Sequence, residues 1–348
     1  MRYFLYVTVM MFLLGCSDGT GTQDINTISA LGEKNEVVEE CTPNVVVGSY
    51  FRDSTTDVSI DGNKAVIAHS NGIDIIDITD KHDPVLLGSM VIQGAINKAK
   101  IKGNLVFTYY ANEAIGNLSM KVINISNVSN PMTVATIPYD IIFQDAYIES
   151  NFIHFGGEIN GSISRYYSYD FSDQFNPVIA ASLDLNSSAD LNTTPVALGS
   201  FVQEGDMLYA QSVQSSLYVI DIADRNNPVE LISLLTGASY LAKNGNTIFA
   251  GGEKQLKSYY IDMPDYLYEA GKIENNTTDF LHIANVGSNV YSFGKLDGEI
   301  SISDFSDIFF PIETDEKAYV YASENMVSDD RYLYVADNLG LKIIDTCR

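Results

Sequence analysis

The chain has 348 residues, of which 46% are apolar and 19% charged, and it has no run of about eighteen or more apolar residues that would make a membrane-spanning helix. Its 20 basic and 45 acidic residues give a formal net charge of −25, which repels a polyphosphate and excludes nucleic-acid binding. The 22 Tyr and 16 Phe, with many β-branched residues, argue against disorder and favour strands. We therefore expect a soluble all-β body.

The N-terminus has the features of an export signal. Arg2 precedes an apolar segment at 3–14, which is too short to span a bilayer but has the length of a signal-peptide core. The sequence Leu-Leu-Gly-Cys at 13–16 resembles the lipobox of bacterial lipoproteins, in which the signal is cleaved before the cysteine and the cysteine is acylated. This predicts a signal peptide over 1–15 and a lipidated Cys16. The alternative is an ordinary secretory signal in which the cysteine has no role.

A polar, acidic segment follows Cys16 and lacks a strand pattern, so residues 16–40 are predicted to be a lipidated, flexible tether. The 24 residues at 17–40 would have a root-mean-square reach of roughly 27 Å as a coil, enough to hold a folded body off the lipid surface. Ser17, rather than aspartate, resembles the residue that follows the cysteine in Gram-negative outer-membrane lipoproteins. The resemblance implies the outer membrane of the cell envelope as the location.

A short turn sequence recurs through the rest of the chain. Its intact copies are Asp77–Pro84, Asn124–Pro131, Asp170–Pro177, Asp221–Pro228 and Asp304–Pro311. Two incomplete copies begin at Asp262 and Asp345, so that seven copies follow one another at intervals of 41 to 51 residues. Intervals of this size are typical of propeller blades. The Asp or Asn that starts each turn is expected to cap the local backbone as an Asx turn rather than to bind a ligand.

Each repeat contains four strand patterns. In the first repeat, a strand ends in the turn Ile60–Asn63, a second follows at Lys64–His69, a third at Ile73–Ile78 leads into the Asp turn, and a fourth follows at Pro84–Gly88. The third strand is apolar on both faces, so neighbours must cover both faces of the sheet. Radial stacking provides this cover. We therefore predict an all-β, seven-bladed β-propeller of four-stranded blades over residues 41–348.

The third strands and their turns carry a family resemblance. The runs GIDIIDITD at 72–80 and LYVIDIAD at 217–224, each followed by Asp-Pro or Asn-Pro, resemble the LVIVD-repeat proteins of bacterial and archaeal cell surfaces. The resemblance spans about residues 43–348 and is specific in the repeats around positions 77, 170 and 221. It implies a propeller fold and a surface location rather than an activity.

The two ends of the repeat region are incomplete in complementary ways. The last copy ends after its third strand at Leu341–Asp345, and an unattached fourth-strand pattern stands at Pro43–Tyr50. We therefore predict that this N-terminal strand completes the last blade. Superposition on the first repeat places Cys41 and Cys347 three residues apart across one turn, where Cα atoms lie within about 7 Å and a disulfide is feasible. We predict that bond in an exported protein; two unpaired thiols are the alternative.

Polar residues recur where the first strands begin, near connections of variable length at Ala111–Leu118, Gly156–Ser162 and Asn186–Pro195. Variation confined to one face of a repeat protein usually marks its binding face. Alignment of the first strands stacks two polar rings at this mouth of the channel. They contain Thr56, Asn97, Gln144, Ser239, His282 and Glu324, and then Asp57, Lys98, Asp145, Tyr240 and Asn325. Such a set suits Ca²⁺ or a polar ligand; a solvated channel lining is the alternative.

Sequence motifs of the common enzyme classes are absent. The chain has no Gly-x-Ser-x-Gly, no phosphate-binding Gly-Lys-Ser/Thr loop and no His-Glu-x-x-His, and its four histidines are never at ligand spacing. We therefore expect a monomeric, lipid-anchored binding module without catalytic residues or a resident cofactor, whose partner is a protein, a glycan or another envelope component. The alternative is a hydrolase or lactonase-like enzyme with Ca²⁺ at the channel mouth.

Overall fold

The computed structural model describes residues 41–93, 96–109, 119–139, 141, 144–159, 163–185, 197–213, 215–263, 265–276, 279–294, 298–321 and 323–348. The predicted signal peptide, Cys16 and the tether lie outside the described residues, as do the variable connections at 111–118 and 186–195 and residues 160–162. Within the described ranges, no helix has the length and apolar character needed to cross a bilayer.

The described residues form 28 strands in seven antiparallel sheets of four strands. The chain begins with β1 (Val45–Phe51). The first three blades are β2 (Thr55–Asp61), β3 (Lys64–His69), β4 (Gly72–Asp77) and β5 (Val85–Val91); β6 (Lys98–Lys102), β7 (Leu105–Tyr109), β8 (Ser119–Asn124) and β9 (Met132–Pro138); and β10 (Ala146–Glu149), β11 (Phe152–Ile159), β12 (Ile163–Asp170) and β13 (Val178–Asp184).

The remaining blades continue in the same order, and the first strand of every blade lines the central channel. They are β14 (Leu198–Glu204), β15 (Met207–Ser212), β16 (Ser216–Asp221) and β17 (Val229–Leu235); β18 (Tyr240–Asn244), β19 (Thr247–Gly252), β20 (Gln255–Met263) and β21 (Tyr266–Glu274); β22 (Leu281–Val286), β23 (Asn289–Phe293), β24 (Glu299–Asp304) and β25 (Ile312–Tyr319); and β26 (Ser323–Ser328), β27 (Tyr332–Asp337) and β28 (Gly340–Asp345).

The seventh blade is assembled from both ends of the propeller, as predicted. Its strand order is β1-β28-β27-β26, with Val45 opposite Asp345 and Phe51 opposite Gly340. Cys41 and Cys347 form a disulfide with a Cα–Cα distance of 5.8 Å. The composite blade and the cysteine pairing are therefore both confirmed, and together they join chain ends that are 306 residues apart.

The hydrophobic core lies between blades rather than within one. The described residues form seven apolar clusters, and each is built from two adjacent blades. The cluster at the closing seam packs Val58 and Ile76 of the first blade against Ile343 of the last. All three side chains are fully buried. The third strands are apolar on both faces because each face belongs to a different core.

The repeated turns are Asx turns, as predicted. Asp77 Oδ1 accepts the Thr79 backbone N–H at 2.8 Å, and equivalent bonds form at Asn124, Asp170, Asp221, Asp304 and Asp345. The turns also pack against the outer strand of the preceding blade. A Cβ at Gly88 would lie 1.8 Å from the carbonyl oxygen of Val128 in the next turn, so this position in β5 requires glycine.

A buried ion pair also joins the two blades at the closing seam. The Asp74 side chain in β4 is fully buried, and it accepts bonds from Arg52 Nη2 at 2.6 Å and Tyr50 Oη at 3.0 Å. Burial opposes ionisation of Asp74, but the nearby His69 and the hydrogen bonds from Arg52 and Tyr50 hold its pKa well below the ordinary value. Since Tyr50 and Arg52 belong to β1 and the segment that follows it, this ion pair joins the last blade to the first.

Removal of the disulfide should weaken the ring without abolishing it. The loop-closure model gives an upper bound of about 5 to 6 kcal/mol for a cross-link of this span, and the Asp74 ion pair remains. For the double variant Cys41→Ser/Cys347→Ser we expect a folded protein with a free energy of unfolding lower by about 2 to 5 kcal/mol. Urea unfolding of this variant beside a Cys16→Ser control measures the difference. Equal midpoints in both would contradict a role for the disulfide in closing the ring.

Candidate ligand site at the channel mouth

Most of the predicted site residues line one end of a central cavity of about 450 Å³. Within a blade the first and third strands are parallel, so the starts of the first strands lie on the face opposite the Asp turns. Seven of the eleven predicted residues line the cavity: Lys98, Gln144, Asp145, Ser239, Tyr240, His282 and Asn325. The structure therefore brings together polar groups from five of the seven blades.

The other four predicted residues do not line this cavity. Asp57 is fully buried beside the mouth. Thr56 lies in a β-bulge at the start of β2, and its hydroxyl donates to the Ala68 carbonyl at 3.4 Å. Asn97 precedes β6 and donates its backbone N–H to Tyr109. Glu324 lies in β26, but its side chain is outside the described part of the structure.

Side chains of the first strands bond to the backbone of the next blade. Asp57 Oδ2 accepts the Ala99 N–H at 3.0 Å, and Ser59 Oγ accepts the Ile101 N–H at 3.2 Å. The first strand of a blade has a free edge toward the channel, and unpaired backbone groups there need partners. These contacts supply them and fix adjacent first strands to one another.

Sequence alignment missed many of the lining residues, including Ser200 and Lys100. Ser200 of the fourth blade repeats the Asp57 contact, because its Oγ accepts the Leu241 N–H at 2.8 Å. Ser200 and Leu241 are 41 residues apart, and Asp57 and Ala99 are 42 residues apart. This similar spacing is the sequence signal that could have identified Ser200. Lys100 also lines the cavity; it stands two residues after Lys98, and so on the same face of β6.

Two lysines and two aspartates form paired charges at the mouth. Lys100 Nζ lies 2.9 Å from Asp145 Oδ1, and Lys98 Nζ lies 3.5 Å from Asp57 Oδ1. Tyr109 Oη also donates to Asp145 at 2.7 Å. Burial opposes ionisation of Asp145, but Lys100 and Lys98 hold its pKa below the ordinary value. The four groups sum to no net charge, in contrast to the chain as a whole.

His282 and Tyr240 form an aromatic pair in the cavity wall. Their ring centroids are 4.5 Å apart, and Tyr240 Oη lies 3.3 Å from His282 Nε2. Pairing of β22 with β23 is irregular between Leu281 and Ala284, and His282 has a φ of 44°, in the left-handed region that is uncommon for a residue other than glycine. Burial and the nearby Lys98 lower the pKa of His282 to about 4, so the ring is neutral at neutral pH.

The carboxylate oxygens at the channel mouth are not well suited to bind a cation. Asp57 already accepts hydrogen bonds from Ala99 N–H and the Asn325 side chain, and Asp145 is bound by Lys100 and Tyr109. A Ca²⁺ ion would have to compete with ammonium groups for these oxygens. Within the described ranges, the one cluster of three side chains of metal-ligating type is Cys41, Asp345 and Cys347, and its two thiols are joined in the disulfide.

The lowered pKa of His282 predicts that the free energy of unfolding decreases in acid. Its pKa of about 4 in the folded protein is below the ordinary value of about 6.5, so between these values the unfolded chain binds a proton that the folded chain does not. Stability therefore falls as pH drops through this window, by up to about 3 kcal/mol for this group. In His282→Asn, which keeps a residue type tolerated at positive φ, this loss should disappear.

Urea unfolding at pH 7 and pH 4.5 measures the effect, and His82→Asn in an exposed turn serves as the control. Equal pH dependence in His282→Asn and the wild-type protein would show that the His282 environment does not lower its pKa.

Comparison with known proteins agrees with this architecture. The LVIVD repeat family matches residues 53–91 and 321–346, which cover the first blade and the three C-terminal strands of the last blade. No curated protein sequence matches the chain.

Solved structures show the same fold at low identity. The computationally designed Ika8 protein is 13% identical with a TM-score of 0.56, and the match covers 87% of this chain and 99% of that one. Saccharomyces cerevisiae Sqt1 is 8% identical with a TM-score of 0.60 and the same coverages. A chain of a mitotic checkpoint complex is 12% identical with a TM-score of 0.59, over 86% and 93% of the two chains. The chain is therefore a seven-bladed β-propeller, and parts of its first and last blades match the LVIVD repeat.

Proposed function

We propose that this propeller is a non-catalytic binding module of the cell envelope, anchored by acylation of Cys16, and that its channel mouth binds a neutral, hydroxyl-rich ligand of the sugar type. The observation that carries the binding proposal is the charge-balanced polar set and aromatic pair around a cavity of about 450 Å³. Binding and interaction are typical roles of this architecture. The class of ligand is inferred from the side chains that line the channel mouth.

The balance of charge at the mouth favours a neutral ligand. Each lysine there has an aspartate partner, so a ligand with a net charge would have to break an existing pair or remain unpaired in a partly desolvated site. A hydroxyl group both donates and accepts hydrogen bonds. The cavity wall offers it donors, acceptors and groups that do both, in Lys98, Asp145, Gln144, Ser239 and Asn325.

The aromatic pair gives this site an apolar surface. Tyr240 and His282 both line the cavity, with rings 4.5 Å apart, and the histidine is uncharged at neutral pH. Sugar rings combine hydroxyl groups with a face of C–H groups, which packs on such a surface. Ligand sites that join aromatic side chains to a few oriented polar groups follow the same principle.

The protonation states at the mouth oppose acid–base catalysis. A general acid or base works best when its pKa is near the working pH. Lysine neighbours hold the pKa of Asp145 below its ordinary value despite burial, and burial lowers that of His282 to about 4. Both groups therefore keep one protonation state at neutral pH, which suits recognition and not proton transfer.

The ligand proposal is tested by titration of the purified protein with neutral, acidic and amino sugars, followed by ligand-observed NMR or calorimetry. We expect neutral saccharides to bind best. Tyr240→Ala should weaken binding about tenfold or more, corresponding to about 1.4 kcal/mol, whereas Tyr240→Phe keeps the ring and most of the affinity. Tyr319→Ala, on an outer strand where the side chain is 63% exposed, should have no effect. Preference for a charged sugar would contradict the argument from charge balance.

The anchor proposal is tested by growth of a Gram-negative host expressing the full chain with a labelled fatty acid. We expect label in the wild-type protein and in Cys41→Ser/Cys347→Ser, and none in Cys16→Ser, which should leave the membrane fraction because its acyl chains are lost. An unlabelled, soluble wild-type protein would instead support the ordinary secretory signal.

A further inference from the structure

The chain enters the propeller on the face opposite the channel mouth. Cys41 is bonded to Cys347, which follows β28 as Thr79 follows β4, with the same contact from its backbone N–H to an Asp side chain. The disulfide therefore lies in the seventh blade's copy of the Asp turn. The chain N-terminal to Cys41 therefore joins the propeller on this side, which we call the turn face.

Exposed apolar side chains are concentrated on the turn face. In six of the seven blades, the outer strand begins there with an exposed aliphatic residue: Val45, Val85, Met132, Val178, Val229 and Ile312. The turn of the sixth blade adds Phe309 and Phe310, and Phe310 is 78% exposed. Phe309, Phe310 and Ile312 are also neighbours in the chain, and a cluster of exposed apolar side chains marks contact with a partner or a membrane.

The sister turns show that Phe310 is not needed for the turn itself. Asp83, Asn130, Asn176 and Asn227 occupy the same position in the other intact turns. Phe310 donates its backbone N–H to Asp307 at 3.2 Å, and Asn130 makes the same contact to Asn127 at 3.0 Å. A polar residue therefore gives the same turn, and the exposed phenylalanine has no structural role there.

We infer that the turn face, through Phe309 and Phe310 of the sixth blade, rests on a zwitterionic lipid bilayer, so that the channel mouth points away from the membrane. This inference rests on the proposed anchor at Cys16. If the 24 residues between Cys16 and Cys41 form the predicted flexible coil, their reach would be roughly 27 Å, and the anchor would keep the propeller at high effective concentration near the bilayer. The net charge of −25 opposes contact with anionic lipid, so the charge of the chain favours a zwitterionic bilayer.

The absence of tryptophan from the sequence allows a direct test. Phe310→Trp places one reporter on the turn face, and Val91→Trp places another at the opposite end of an outer strand, at a position that is also 78% exposed. Each full chain is joined to a maleimide lipid through Cys16, whose thiol is outside the Cys41–Cys347 bond, in vesicles of phosphatidylcholine with and without brominated acyl chains. We expect bromine to quench the fluorescence of Phe310→Trp several-fold more than that of Val91→Trp, and the emission of Phe310→Trp to shift to the blue.

Equal quenching in the two variants, or stronger quenching in Val91→Trp, would overturn the inference. So would quenching of Phe310→Trp that requires anionic lipid. Because chemical coupling supplies the anchor, failure of acylation in cells leaves this test intact and separates the two proposals.

A second variant, Phe309→Ser/Phe310→Asn, takes the second blade's residues Ser129 and Asn130 and so keeps a turn sequence that the protein already folds. With Phe175→Trp on the same face as reporter, it should reduce quenching at least threefold relative to Phe175→Trp alone. Unchanged quenching would also overturn the inference.

Discussion

Burial of both faces of every sheet is the constraint on which this structure depends. Each apolar cluster is shared by two blades, so no blade has a complete core of its own. A ring left open would expose two such faces, at Ile76 on one side and Ile343 on the other. The composite seventh blade is therefore a condition of stability. The disulfide and the buried Asp74 ion pair act at that seam because it is the one junction that chain connectivity alone does not hold.

Closure also gives the two faces different chemistry. At the channel mouth, the first strands come close enough for polar side chains to bond with the neighbouring backbone, as Asp57 does with Ala99. The paired charges there join neighbouring blades and also form a polar wall in which each lysine has an aspartate partner. At the turn face, the Asx turns satisfy their own backbone groups locally. The side chain at the Phe310 position is consequently not needed to form the turn.

Features that depend on local sequence were predictable, and features that depend on contacts between blades were not. The number of blades followed from the spacing of the turns, and the pairing of Cys41 with Cys347 followed from the geometry of one turn. The pairing of Lys100 with Asp145 joins different blades, and no local sequence pattern predicts this pairing. Ser200 was missed because the irregular start of β14 shifts its register. The left-handed backbone of His282 likewise has no sequence signature in a histidine.

Seven copies of one unit provide internal controls that a single domain lacks. All copies start the turn with Asp or Asn, and the backbone contact that this side chain makes in six of them explains the shared residue type. Where one copy departs and its backbone still makes the shared contact, as at Phe310, folding does not explain the change. His282 is the converse case, because there the side chain is accompanied by an uncommon backbone conformation. Strain of that kind persists only where the surrounding structure enforces it. The conformation of His282 therefore supports a functional role for the channel mouth.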